Sequence, residues 1–117
     1  MNLTRIEPGS RFSQVVIAGS LVFLAGQVAA DPHSDIRTQT QQVLAAIDRL
    51  LALAGSDRSR LVSVTIYLRD IADYDAMNSV WDAWIAADAK PARATVEARL
   101  AFAEYRVEIQ AIAALAT

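Results

Sequence analysis

Strands with two apolar faces outnumber the helices available to cover them. In the stretch Leu21 to Val28, Leu21, Phe23, Ala25 and Gln27 alternate with Val22, Leu24, Gly26 and Val28, and both sets are largely apolar. A strand of that kind needs cover on both sides. Helical periodicity occurs only twice. Ile36, Thr40, Val43, Ile47, Leu50 and Ala54 form one stripe, widened by Leu44 and Leu51; Tyr74, Met77, Trp81, Trp84 and Ile85 form the other. Two helices of ordinary length cover one face of a four- or five-strand sheet and leave the other bare. A second copy of the chain is the economical cover, so an oligomer is expected before any relative is considered.

Turn and cap residues set the boundaries. Phe12 to Ala18 and Leu21 to Val28 read as a hairpin, with Gly19-Ser20 as a type II′ turn. Ser34 or Asp35 caps the first helix, and Gly55 ends it. Leu61 to Leu68 alternates as a strand. Asp70 and Asp73 offer caps for the second helix, which should fade near Ala89 before Pro91. Ala92 to Leu100 and Tyr105 to Ala114 read as the last two strands. The order is β-β-α-β-α-β-β, an α+β arrangement with two helices on one face of a mixed sheet. All of it belongs to one domain, residues 1–117.

Composition removes several function classes. The chain has 117 residues, no cysteine and one histidine, His33, which excludes thiol nucleophiles, thiolate metal sites and multi-histidine metal centres within one chain. No metal and no cofactor is expected. Eleven basic and thirteen acidic residues are interspersed, net charge −2, which disfavours a nucleic-acid track. The first eleven residues are polar and mixed in charge, unlike a secretory signal, and no apolar run reaches membrane-span length. A cytoplasmic protein without membrane contact is the expectation. Four scattered glycines cannot make a phosphate loop, and no nucleophile-elbow motif occurs.

Few residues remain that could carry chemistry. Arg93 opens a strand just after Pro91, with Thr95 two residues on. It either clamps a carboxylate through paired hydrogen bonds or pairs with a nearby acid such as Glu97. Glu108 interrupts the apolar run Val107 to Ala114 and either lies in a polar pocket or shares a solvated face with Arg106 and Gln110. Gln27 is a polar exception at a strand end, and His33 reads as a surface loop residue. Trp81 and Trp84 read as packing residues.

The whole arrangement resembles the RidA/YjgF family of small trimeric proteins. The resemblance is carried by seven stretches in order. These are Phe12-Ser13-Gln14-Val15-Val16, Leu21 to Gln27, Gln39 to Leu44, Val64 to Asp70, Tyr74 with Asn78 to Trp81, Pro91-Ala92-Arg93-Ala94-Thr95-Val96, and Val107 to Ala113. It implies a chorismate-mutase-like fold, a homotrimer with its sheets inside, and three clefts between neighbours. It implies hydrolysis of small 2-imino acids, or their enamine tautomers, to 2-oxo acids and ammonia, a form of metabolite damage control that uses no metal or cofactor. By motif match Arg93 would hold the substrate carboxylate and Glu108 would position the water. Thr95, Gln27 and Phe12 would line the mouth.

Four features depart from the family pattern, one of them a connector, Ala29 to Asp35, that is short against many members. Ser10-Arg11-Phe12 stands where a Gly-Pro-Tyr stretch is usual, Thr95 where cysteine is common, and Gln110 where a second acid is frequent. The resemblance is therefore closer to the family's divergent branches. They leave a second reading open, non-enzymatic binding of a small carboxylate metabolite in the intersubunit cleft.

Overall fold

A computed structural model describes residues 2–116. Six strands and two helices follow in the order β1 (Leu3–Pro8), β2 (Ser13–Ala18), β3 (Leu21–Leu24), α1 (Ile36–Ala54), β4 (Leu61–Leu68), α2 (Tyr74–Trp84), β5 (Ala92–Glu97) and β6 (Val107–Ala114). They form one sheet in the order β1-β2-β3-β6-β4-β5. Only β4 and β5 run parallel; the other neighbours are antiparallel. Both helices lie on one face, as the sequence requires.

The strand β1 is an addition to the expected set. Leu3-Thr4-Arg5-Ile6-Glu7-Pro8 carries two charges and has almost no buried surface, so hydropathy gives no sign of it. Its backbone pairs with β2 along an outer edge, where charged side chains and a terminal proline are tolerated.

Alternation sorts the sheet into two faces. Val15, Val22, Leu24, Val64, Ile66, Leu68, Val107, Ile109, Ala111 and Ala113 are buried beneath the helices. They meet Val43, Leu44, Ile47, Leu50 and Leu51 of α1 and Met77 and Trp81 of α2. Each large aliphatic side chain in that layer contributes about 1.5–3 kcal/mol of burial. The opposite face carries Leu21, Phe23, Tyr67, Ala94, Val96, Glu108, Gln110 and Ile112. Phe23 and Val96 on it are 36% and 43% exposed, so a bare apolar face is present.

The helix ends explain two boundaries. Asp35 accepts a hydrogen bond from Thr38 N at 2.8 Å and caps α1. Gly55, at φ 83°, ends it, with Ser56 N donating back to Leu51 O. The second helix stops at Trp84 and does not reach Ala89. Arg58 donates to the Trp84 carbonyl at 2.7 Å and forms two bonds to Asp48, while the Trp84 indole donates to Asp48 at 2.9 Å. This latch ties the end of α2 to α1, and Ile85 turns extended. The Gly19-Ser20 turn agrees with expectation, with positive φ at Gly19 and not at Ser20. Three strands are shorter than expected: β3 ends at Leu24, β5 at Glu97, and β6 begins at Val107.

Candidate functional site

Arg93 sits on the edge strand β5 and shares its face with its β4 partner Val64, the helix side of the sheet. There α2 receives it. Its Nη1 donates to Asn78 Oδ1 at 2.8 Å, and its Nη2 lies 3.4 Å from the Tyr74 hydroxyl. The guanidinium carbon stands 5.2 Å from the Trp81 ring centre and 5.9 Å from that of Tyr74. Tyr74, Asn78 and Trp81 are spaced four and three along α2, so one helical stripe presents all three. Among the described residues no carboxylate forms an ion pair with Arg93. Glu97, the expected alternative, accepts instead from Ile71 N at 3.0 Å. The arginine is thus oriented by neutral groups and keeps its charge for another partner. Thr95 lies on the same face, and its Oγ1 is buried without a hydrogen-bond partner.

Glu108 is built into the other face. It pairs across from Tyr67 in β4, between the buried Val107 and Ile109. A recess of about 290 Å³ surrounds it, lined by Gly26, Tyr67, Arg99, Leu100 and Gln110. Gly26 makes this placement possible. A Cβ on Gly26 would stand 2.9 Å from Glu108 Cδ and 3.2 Å from its Cγ, so the carboxylate occupies the space a side chain would take. The Gly26 position therefore opens toward Glu108 and not, as alternation suggested, to the side of Val22 and Leu24. The face is shared with Gln110 as expected, but Arg106 is not there. It pairs with Asp73 at 3.3 Å, just ahead of α2.

The two principal candidates do not meet within one chain. Register places Arg93 level with Ala111, two strands from β6 and three residues from Glu108. That separation is about 14 Å in the plane of the sheet, with the side chains on opposite faces. Phe12 is farther still. It lies at the β1–β2 turn, 59% exposed, four strand spacings or about 19 Å from the strand of Arg93. Gln27 is almost fully buried. Its amide nitrogen donates to Gln14 Oε1 at 2.8 Å and to Ala25 O at 3.1 Å, and its backbone bridges to Ile109. It braces the chain around Gly26 against β6.

Gln39 is a supporting residue that periodicity conceals. It is fully buried inside α1. Its amide nitrogen donates to the carbonyls of Pro32, Ser34 and Glu104, and its oxygen accepts from Arg106 N at 2.9 Å. One side chain thereby ties two loops to the helix and fixes the entry into β6, two residues before Glu108. A glutamine at a core position of an amphipathic stripe was the available signal. Another recess, about 550 Å³, lies between α1 and α2 and is lined by none of the candidate residues.

The comparisons with known proteins agree with this architecture. The family model described as Endoribonuclease L-PSP matches residues 2–115. A RutC family protein of Haemophilus ducreyi is 46% identical over 113 residues, covering 97% of each chain. The RutC family protein YoaB of Escherichia coli is 40% identical, covering 98% of this chain and all of that one. Among solved structures, NMB1025 of Neisseria meningitidis, a member of the YjgF protein family, superposes with a TM-score of 0.97 at 47% identity, covering 100% of this chain and 98% of that one.

Proposed function

The chain belongs to the Endoribonuclease L-PSP (YjgF) family, and from that premise we propose that it hydrolyses small 2-imino acids to 2-oxo acids and ammonia at sites shared between copies of itself. The observation that carries the reading is Arg93: a guanidinium oriented by Asn78, Tyr74 and Trp81, with no carboxylate paired to it among the described residues. Such a group is a ready receptor for a carboxylate.

The opposite placement of Arg93 and Glu108 supports a shared site. The uncovered face that carries Glu108 also carries Phe23, Val96 and Ile112. Packing three such faces around an axis buries the apolar surface and brings the β5 edge of one copy toward the Glu108 face of the next. Phe12 and Thr95 then take part as wall residues from different copies.

Chemistry follows from the two groups. Arg93 holds the substrate carboxylate and so fixes C2. Glu108 of the adjacent copy takes a proton from water as the water oxygen bonds to C2 and the C=N π electrons move to nitrogen. The carboxyl then returns that proton to nitrogen. Glu108 then takes the proton of the new hydroxyl and passes it to the nitrogen as the C–N bond breaks, so that the C–N electron pair leaves with ammonia and the O–H electron pair closes the carbonyl. One water is consumed, and one 2-oxo acid and one ammonia are formed, with no change of oxidation state.

The test uses imino acids freshly generated by an amino-acid oxidase, with ammonia and 2-oxo acid release as readouts. Wild type accelerates release, while Arg93→Ala does not and keeps its oligomeric mass. An Arg93→Ala variant as fast as wild type removes the role of Arg93. No acceleration by wild type, with saturable 2-oxo acid binding, replaces the enzyme with a carboxylate-binding protein. The RNA cleavage in the family's name would need a basic track. The net charge of −2 and the Glu108 recess, whose lining contains one arginine, do not supply it.

A further inference from the structure

Beside the Glu108 recess lies a second one of about 410 Å³, lined by Arg69, Arg99, Leu100, Phe102 and Ala103. Arg99 and Leu100 line both, so the two recesses share a wall. Among the described residues, the charged groups lining the second recess are the guanidiniums of Arg69 and Arg99. Neither forms an ion pair with a carboxylate among the described residues, although ion pairs at Arg49, Arg58, Arg60 and Arg106 occupy four other arginines. Phe102 is 64% exposed and packs edge-on against Tyr105 at 5.9 Å, leaving an aromatic wall beside the two cations. On its far side Arg69 borders Asp70, Asp73 and Glu104, with Arg106 and His33 among them. Two unpaired cations facing one recess repel each other until an anion sits between them.

We infer that this recess binds the distal anionic group of the substrate, so that the preferred imino acids are dicarboxylic. The inference rests on the deaminase reading. The substrate's 2-carboxylate lies on Arg93, its C2 faces Glu108, and its side chain passes Arg99 to end between Arg99 and Arg69. A neutral side chain of equal length leaves both guanidiniums unpaired.

The experiment compares imines generated from glutamate and from glutamine, which differ only in the charge of the distal group. Wild type shows a KM about tenfold or more lower for the acidic imine, as expected of charge-assisted hydrogen bonds. Arg99→Gln and Arg69→Gln each reduce that preference, and Arg69→Gln, which lies outside the Glu108 recess, leaves kcat for the imine of alanine unchanged. Equal KM values for the two imines overturn the inference and leave the deaminase reading standing. In parallel, calorimetry measures binding of 2-oxoglutarate and of 2-oxopentanoate, whose side chain is uncharged, to wild type and both variants. If no imine is hydrolysed, but 2-oxoglutarate binds about tenfold tighter and the margin is lost in Arg99→Gln, the recess stands and the deaminase reading falls. A short single-stranded RNA that displaces 2-oxoglutarate assigns the two arginines to phosphates and overturns the dicarboxylate assignment.

Discussion

Replacing Gly26 by alanine tests whether the position of the Glu108 carboxylate governs turnover. Nothing in the backbone resists the change, because Gly26 is not among the residues with positive φ. The obstacle is Glu108 itself, whose Cδ would lie 2.9 Å from the new methyl group. Carbon atoms in contact prefer about 3.5–4.0 Å, so the carboxylate retreats by roughly 1 Å. The displaced group is the free end of a flexible side chain, and rotation costs the fold little. Alanine also restricts the unfolded chain, which offsets part of any strain. Catalysis is less forgiving, since a misplacement of about 1 Å costs about 100-fold. The expected result is a kcat about 100-fold lower, a KM close to that of wild type because Arg93 is untouched, and an unchanged or slightly raised Tm. Ammonia release and a thermal melt on the same preparation measure all three. A variant with wild-type kcat would refute the placement of the attacking water by Glu108.

Further outcomes follow from the supporting residues. Asn78→Ala removes the 2.8 Å bond that orients Arg93. The KM rises about tenfold with a smaller change in kcat, since a hydrogen bond to a charged group at a half-exposed site is worth about 1.5 kcal/mol. Gln39→Leu strands three carbonyls and one N–H that the amide now satisfies. Denaturant titration should show a loss of about 3 kcal/mol or more. The carboxyls of Asp35 and Asp57 are held below the ordinary aspartate range by hydrogen bonds from Thr38 and Ser59. Their stabilisation is complete above the unfolded value of about 3.9 and is lost as pH falls through the lower folded values. Melting temperature therefore declines below about pH 4, and Asp35→Asn flattens part of that decline; an unaltered acid limb would exclude Asp35 as a contributor.

The layer beneath the helices was legible because burial there is one-sided and periodic. Val64, Ile66 and Leu68 alternate with Ser63, Thr65 and Tyr67, and Val107, Ile109 and Ala111 do the same in β6. The stop at Gly55 is local chemistry and was equally plain, and the cap was narrowed to Ser34 or Asp35, of which the fold uses Asp35. Strand β1 was hidden because an edge strand held by backbone bonds needs no apolar pattern. The early end of α2 depended on Arg58, 26 residues upstream of the carbonyl it takes, a contact no local window contains. For the site, residue type singled out Arg93 and Glu108, and the resemblance put both in one cleft. What alternation alone did not give was the pairing of β5 and β6 through β4, which sets the two side chains on opposite faces. Alternation put Gly26 beside Val22 and Leu24, and the carboxylate that fills its place came only from the fold.

A site shared between copies makes a demand that no single-chain site makes. Arg93→Ala and Glu108→Gln are each expected to be inactive. Denatured together in equal amounts and refolded, they form mixed assemblies. If each site takes its arginine from one copy and its carboxylate from the next, about a quarter of the sites receive both intact groups. Ammonia release from the mixture should then recover to about 25% of wild type, while each variant refolded alone stays inactive. A mixture as inactive as its components would contradict the shared site.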